Sequence, residues 1–139
     1  MQLQDIMSRH VATIDSNETI AYAARSMRDL DVGSLVVTEN GDVAGIITDR
    51  DIVIRCLSKC TDPVRCVVSQ HMTSPVTTGD PAMDIVGAAR MMREMQIKRL
   101  PVVTDGRLGG MISFSDLTHA TDGMIHELHD VLAGSEHDR

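Results

Sequence analysis

The sequence predicts an α+β fold made of two β-α-β-β-α repeats packed with pseudo-twofold symmetry. Three observations predict it. The chain overlays on itself without a gap at a shift of 65 residues. Each copy changes from a helical to a strand-like hydrophobic period at the same place. Each also carries an Asn-Gly or Asp-Gly turn between two apolar runs.

The overlay places residues 5–52 on 70–117, and 16 of the 48 pairs are identical. They include Met7 over Met72, Asp15 over Asp80, Ala23-Ala24-Arg25 over Ala88-Ala89-Arg90, Gly45 over Gly110 and Asp51 over Asp116. A gapless match of this length marks a duplicated unit.

The elements follow in order. Val11-Ala12-Thr13-Ile14, and Val76-Thr77-Thr78 in the second copy, suit a brief strand. Asp15 with Glu18 three residues on resembles a helix start. Ile20, Ala23, Ala24, Met27 and Leu30 then fall on one helical face, repeated by Ile85, Ala88, Ala89, Met92 and Met95. Two hairpins follow, turning at Asn40-Gly41 and Asp105-Gly106. A second helix is expected over residues 49–59 and from Ser115 onward. One copy of about 60 residues is marginal as an independent domain, so the two are expected to share a core, with residues 1–65 and 66–125 as domains and 126–139 as a C-terminal helix or tail.

Composition narrows the function. Of 139 residues 42% are hydrophobic but only 1% aromatic, namely Tyr22 and Phe114, so aliphatic side chains and ten Met must build the core. The net charge of -7 repels phosphate backbones, and two aromatics cannot stack bases, so nucleic acid is not the expected partner. No apolar run approaches the ~20 residues that span a bilayer, and no charged-then-apolar leader opens the sequence, so a cytoplasmic location without membrane contact is expected. Cys56, Cys60 and Cys66 make an odd count, which argues against a disulfide framework.

Each hairpin runs into a matching signature: Gly45-Ile46-Ile47-Thr48-Asp49-Arg50-Asp51 and Gly110-Met111-Ile112-Ser113-Phe114-Ser115-Asp116. An Asp at a helix start can accept both hydroxyls of a ribose diol, while the hydroxyl residue and free N–H groups hold phosphate oxygens. The competing reading makes Thr48 and Ser113 mere helix caps, with Asp51 and Asp116 favouring the first turn. Two copies in register favour the ligand-binding reading.

This repeat, ending in Gly, two apolar residues, Thr or Ser, two variable residues and Asp, resembles the CBS domain, which commonly occurs in pairs called Bateman modules. The likeness covers about residues 3–120, and the stretch from Thr48 to Arg55 is similar to small stand-alone bacterial CBS pairs. The resemblance implies an α+β fold, a homodimer of pairs, and a regulatory ligand of the AMP, ADP or ATP type, with S-adenosylmethionine or NADH as further options and no required cofactor. It makes Asp51 and Asp116 the ribose-binding carboxylates and Thr48 and Ser113 their hydroxyl partners. Arg50 and Ser115 fall at phosphate-touching positions. Thr13 and Thr78 line an adenine pocket, completed by the strand entries with Gly33 and Leu35 in one copy and Pro101 in the other. Lys98 and Arg99 resemble a phosphate-contacting pair, where copy one has Gly33 and Ser34 instead. Copy one places Arg50, Arg55 and Lys59 near Asp51, and the family's clefts draw on both repeats. One cleft is therefore expected to bind a phosphorylated nucleotide well. The other is expected to be weaker, with Phe114 narrowing it.

Other signals weigh less. Cys56 and Cys60 share a helix face, with Cys66 and His71 following, but the spacing matches no strong zinc pattern, so buried thiols and no metal site are expected. His119, His126, His129 and His137 suit a solvated C-terminal helix. No nucleophile elbow, phosphate-cradling Gly-rich loop or zincin motif appears, so no enzyme is expected. The leading expectation is an adenosine-nucleotide sensor of energy or metabolite state that signals through an effector protein or its oligomer. The rival is a ligand-independent dimerisation or interaction scaffold.

Overall fold

Asn40 and Gly41 take φ of 53° and 85°, and Asp105 and Gly106 take 52° and 81°. These left-handed pairs are what a two-residue hairpin turn demands, so both hairpins form where the sequence puts them. A computed structural model describes residues 1–59, 62–121 and 132–134. In chain order its principal elements are α1 (Leu3–Ile6), β1 (Thr13–Asp15), α2 (Ile20–Leu30), β2 (Ser34–Glu39), β3 (Asp42–Thr48), α3 (Asp49–Asp51), α4 (Ile85–Met95), β4 (Arg99–Thr104), β5 (Arg107–Ser113) and α5 (Phe114–Thr121). They fall into two compact units, Val11–Val76 and Met1–His10 with Thr77–Arg139.

In the Val11–Val76 unit, β1 runs parallel to β2 through the crossover helix α2, and β2 pairs antiparallel with β3. The other unit repeats the hairpin with β4 and β5. Even the bulges correspond, after Val37 in one and after Val102 in the other.

The helix starts depart from the expectation. Asp15 does not cap α2; its Oδ1 accepts the Asn17 N–H at 2.8 Å, and Asp80 accepts Ala82 in the same way. An Asp that satisfies the backbone two residues on turns the chain instead of opening a helix. The caps are Thr19, which accepts Tyr22 N–H at 3.1 Å, and Asp84, whose Oδ2 accepts Val86 and Gly87. The predicted apolar face is narrower in copy one. Ile20, Ala23 and Met27 are buried, but Ala24 and Leu30 are exposed; in copy two Met95 is exposed beyond a buried Ile85, Ala88, Ala89 and Met92.

The second copy lacks the predicted first strand. Only Gly79 bridges to Val102, donating to the Pro101 carbonyl at 2.8 Å while its own carbonyl accepts Val103 N–H at 2.9 Å. Gly79 stands where copy one has the core residue Ile14. A Cβ there would lie 2.9 Å from both Leu3 and Leu100, so side chains from elsewhere fill the space that Ile14 fills in the first copy.

The helix expected over residues 49–59 begins at Asp49 but is not regular. After α3 it widens into a π-helical turn over Ile52–Cys56 and tightens to a 3₁₀ turn over Leu57–Lys59. Its counterpart α5 is a plain α-helix and starts at Phe114, one residue before Ser115.

Each unit is completed by the segment that leads the other repeat. Val68 and Ser69 hydrogen-bond back to Glu18 and Ser16, Ile20 N–H donates to the Cys66 carbonyl at 2.9 Å, and Thr73 and Ile46 exchange a pair of bonds at 2.8 and 3.1 Å. The other unit makes the same bonds 65 positions away: Leu3 to Met83, Ile85 to Met1 at 3.1 Å, and Ser8 with Met111 at 3.0 and 2.9 Å. The glycine shared by both signatures makes this possible. A Cβ on Gly45 would lie 2.6 Å from the Thr73 carbonyl oxygen, and one on Gly110 2.9 Å from that of Ser8. The strand can take a flanking backbone this close only without a side chain.

Each unit has its own core. One is built from Ile14, Ile20, Leu35, Val37, Ile47, Cys56, Cys66 and Val68, the other from Leu3, Ile85, Met92, Leu100, Val102, Ile112 and Leu117. Met27 and Met92 are buried packing residues, as their spacing implies. Among the described residues no helix is long and apolar enough to cross a membrane. Cys60, His126, His129 and His137 lie outside the described residues.

Candidate functional site

In both copies the signature builds the same local structure. Thr48 ends β3 in extended conformation and caps the following helix: Asp51 N–H donates to Thr48 Oγ1 at 3.0 Å, and Thr48 N–H donates to Asp51 Oδ2 at 3.0 Å. In the other unit Asp116 N–H donates to Ser113 Oγ at 3.1 Å, and Ser113 N–H to Asp116 Oδ2 at 2.9 Å. These reciprocal capping boxes realise the competing reading from the sequence. They do not exhaust the carboxylates. A carboxylate has about four lone-pair sites on two oxygens, and the cap takes one of them on Oδ2. It also fixes the carboxylate's direction.

The surroundings of the two carboxylates differ. Asp51 Oδ1 lies 3.7 Å from Arg55 Nε, one turn along, and Thr73 Oγ1 donates to Asp51 Oδ2 at 3.5 Å. Arg55 Nη1 donates to the Met72 carbonyl at 3.1 Å. Among the described residues Asp116 has no ion-pair partner. Thr73 and the Met72 carbonyl were not anticipated from the sequence. The signal for them is the repeated Met7 and Met72 together with the repeated Gly45 and Gly110, which mark the flanking segment's approach.

The remaining positions divide by exposure. Thr13 is exposed on β1, and Gly33 lies at the entry to β2, where its carbonyl accepts Asp49 N–H at 2.9 Å. A Cβ on Gly33 would meet the Asp49 carboxylate at 3.2 Å, so the glycine leaves room for that acid. Phe114 N–H donates to the Lys98 carbonyl in the equivalent place, at 3.2 Å. Leu35 is fully buried in its core, and Pro101 is buried within β4. Arg50, Arg55, Lys59, Lys98, Arg99 and Ser115 are exposed, and Thr78 is half-buried. Arg50, Lys98 and Arg99 have no ion-pair partner among the described residues, unlike Arg55.

A second cluster lies in the Val11–Val76 unit. Cys56 on the π-helical turn, Cys66 on the flanking segment and His71 bring their ligand atoms within 4.8 Å of one another. Both cysteines are buried and His71 is half-buried. Burial, with the Cys66 thiol alongside, pushes the Cys56 thiol above its ordinary range.

These features match known proteins along nearly the whole chain. The CBS domain pattern matches twice, at residues 3–58 and 67–123. The CBS domain-containing protein YhcV of Bacillus subtilis is 34% identical over 133 residues, covering 96% of this chain and 90% of that protein. Hypoxic response protein 1 of Mycobacterium tuberculosis is 32% identical over 115 residues, covering 82% of this chain and 80% of that protein. A crystal structure of Hypoxic Response Protein I with two coordinated zinc ions has a TM-score of 0.79 at 30% identity, covering 86% of this chain and 98% of its own. A hexameric CBS-CP12 protein from bloom-forming cyanobacteria has a TM-score of 0.74 at 32% identity, over 85% of this chain and 66% of its own. With two matched domains and relatives of this identity and coverage, the chain belongs to the CBS-domain family as a tandem pair.

Proposed function

We propose that this CBS pair is a regulatory module that binds an adenosine nucleotide of the AMP, ADP or ATP type through Asp51 and Asp116. The observation that carries this reading is the twice-built motif in which a capping box orients a carboxylate and leaves acceptor sites on it for a ribose diol. Arg50, Lys98 and Arg99 supply exposed cations, without partners among the described residues, for phosphate oxygens. Asp51 is already flanked by Arg55, so a nucleotide there must compete with or recruit that cation, whereas Asp116 has no ion-pair partner among the described residues.

In this reading the nucleotide does no chemistry. It biases the protein toward whichever arrangement it binds more tightly, and the change passes to an effector protein or through a homodimer in the cytoplasm. The rival scaffold reading draws on one specific observation: both carboxylates already serve their own helix starts. Isothermal titration of nucleotide-stripped protein with AMP, ADP, ATP, S-adenosylmethionine and NADH separates the two. Saturable binding of an adenosine ligand supports the sensor, and flat titrations with all five support the scaffold.

A further inference from the structure

We infer that Cys56, Cys66 and His71 form a binding site for a thiophilic divalent cation, with zinc the fitting metal, independent of any nucleotide. Two thiols and an imidazole are the donor set that borderline-soft Zn²⁺ selects over hard cations such as Mg²⁺. Their spacing in the chain gives no recognisable pattern, but the fold gathers them. The ligand atoms lie within 4.8 Å of one another. A tetrahedral zinc holds thiolate sulfurs about 3.8 Å apart, from Zn–S bonds of about 2.3 Å, so a contraction of about 1 Å completes the set. One position is left for water or a further donor.

The cluster is peculiar to one unit. At the positions 65 residues away the duplicated unit has Met1 for Cys66, Ile6 for His71 and Thr121 for Cys56. The repeat architecture therefore does not require thiols or an imidazole here. The three donors also come from separate pieces. Cys56 lies on the π-helical turn, Cys66 in the stretch whose carbonyl receives the Ile20 N–H, and His71 just after the 3₁₀ turn Val68–Gln70. A bound ion would tie the segment leading repeat two to the helix of repeat one. The two cysteines sit within the apolar core, while half-buried His71 gives a route for the ion.

The test is titration of the reduced, chelator-stripped full chain with Co²⁺, read by its absorption, followed by back-titration with Zn²⁺. The expected result is one Co²⁺ per chain with thiolate charge-transfer and strong tetrahedral visible bands, both removed by Zn²⁺. Cys66→Ser should abolish the bands. His71→Ala, at a half-buried position where the fold is expected to survive as checked by circular dichroism, should weaken affinity by more than about tenfold. Absence of tetrahedral bands in the wild type would overturn the site. So would full Co²⁺ binding that survives His71→Ala and Cys66→Ser but is lost in Cys60→Ser or in the His126→Ala, His129→Ala double variant.

Discussion

Asp51 and Thr48 each accept the other's backbone N–H at 3.0 Å, so Thr48 caps the helix while the reciprocal bond on Oδ2 orients the Asp51 carboxylate, whose Oδ1 lies 3.7 Å from Arg55 Nε. The two roles separate by mutation. Thr48→Ala removes one cap bond and should cost about 1 kcal/mol of stability while leaving the carboxylate in place. Asp51→Ala should cost a similar amount and also abolish nucleotide binding at that copy. Urea unfolding paired with titration of each variant checks this, and equal loss of binding in both would show that the carboxylate is not the dominant contact at that copy.

Gly45→Ala and Gly110→Ala should each destabilise by about 1–3 kcal/mol through overpacking. In both cases the new methyl meets a carbonyl oxygen of the flanking segment and a Met side chain, Met72 or Met7. Chemical denaturation reads the cost. Unchanged midpoints would contradict the close approach.

Leu3 is fully buried in the core of the unit that holds the second hairpin, where it would lie 2.9 Å from a Cβ on Gly79. Leu3→Ala should therefore cost about 2–5 kcal/mol, with amide exchange accelerating in β4 and β5 more than in β2 and β3. Uniform or absent acceleration would contradict the exchange of leading segments.

The Cys56 thiol is pushed up by burial and by Cys66. The folded state thus favours the neutral thiol. That contribution to stability is fully present below the ordinary thiol range and is lost as the pH rises through the higher folded value. In metal-free protein Cys56 should react with iodoacetamide more slowly than in denaturant at pH 8, and the native rate should climb at higher pH. Peptide-like reactivity of Cys56 at pH 8 would contradict its burial.

Lys98 and Arg99 are exposed, so each should contribute only modestly to phosphate binding. Neutralising either is expected to weaken ATP binding roughly fivefold, about 1 kcal/mol, and the loss should shrink at high salt. An equal loss for adenosine would place these residues away from the phosphates.

Most of the fold was legible because duplication states each local signal twice. The Asn40-Gly41 and Asp105-Gly106 turns, the buried centres of the helical stripes and the helix starts after Thr48 and Ser113 follow from short-range chemistry. What was not legible depends on contacts distant in the chain. In the second copy's first strand only Gly79 pairs, and Leu3 and Leu100 pack where a Cβ on it would lie, which no local pattern announces. The cap positions moved to Thr19 and Asp84 because Asp15 and Asp80 bond their own turns instead. The cluster of Cys56, Cys66 and His71 arises from a π-helical turn and a docked segment, neither visible as spacing. Of the candidate nucleotide residues, Leu35 and Pro101 are buried in the sheet, so any contribution from them comes through backbone or packing.

The most direct test of the central claim compares nucleotide affinity of the wild type with Asp51→Ala and Asp116→Ala, using isothermal titration on protein stripped of bound ligand. The account predicts saturable binding of an adenosine nucleotide in the wild type, lost in at least one variant while circular dichroism shows the fold intact. Undiminished affinity in both variants, or no binding by the wild type, would contradict it.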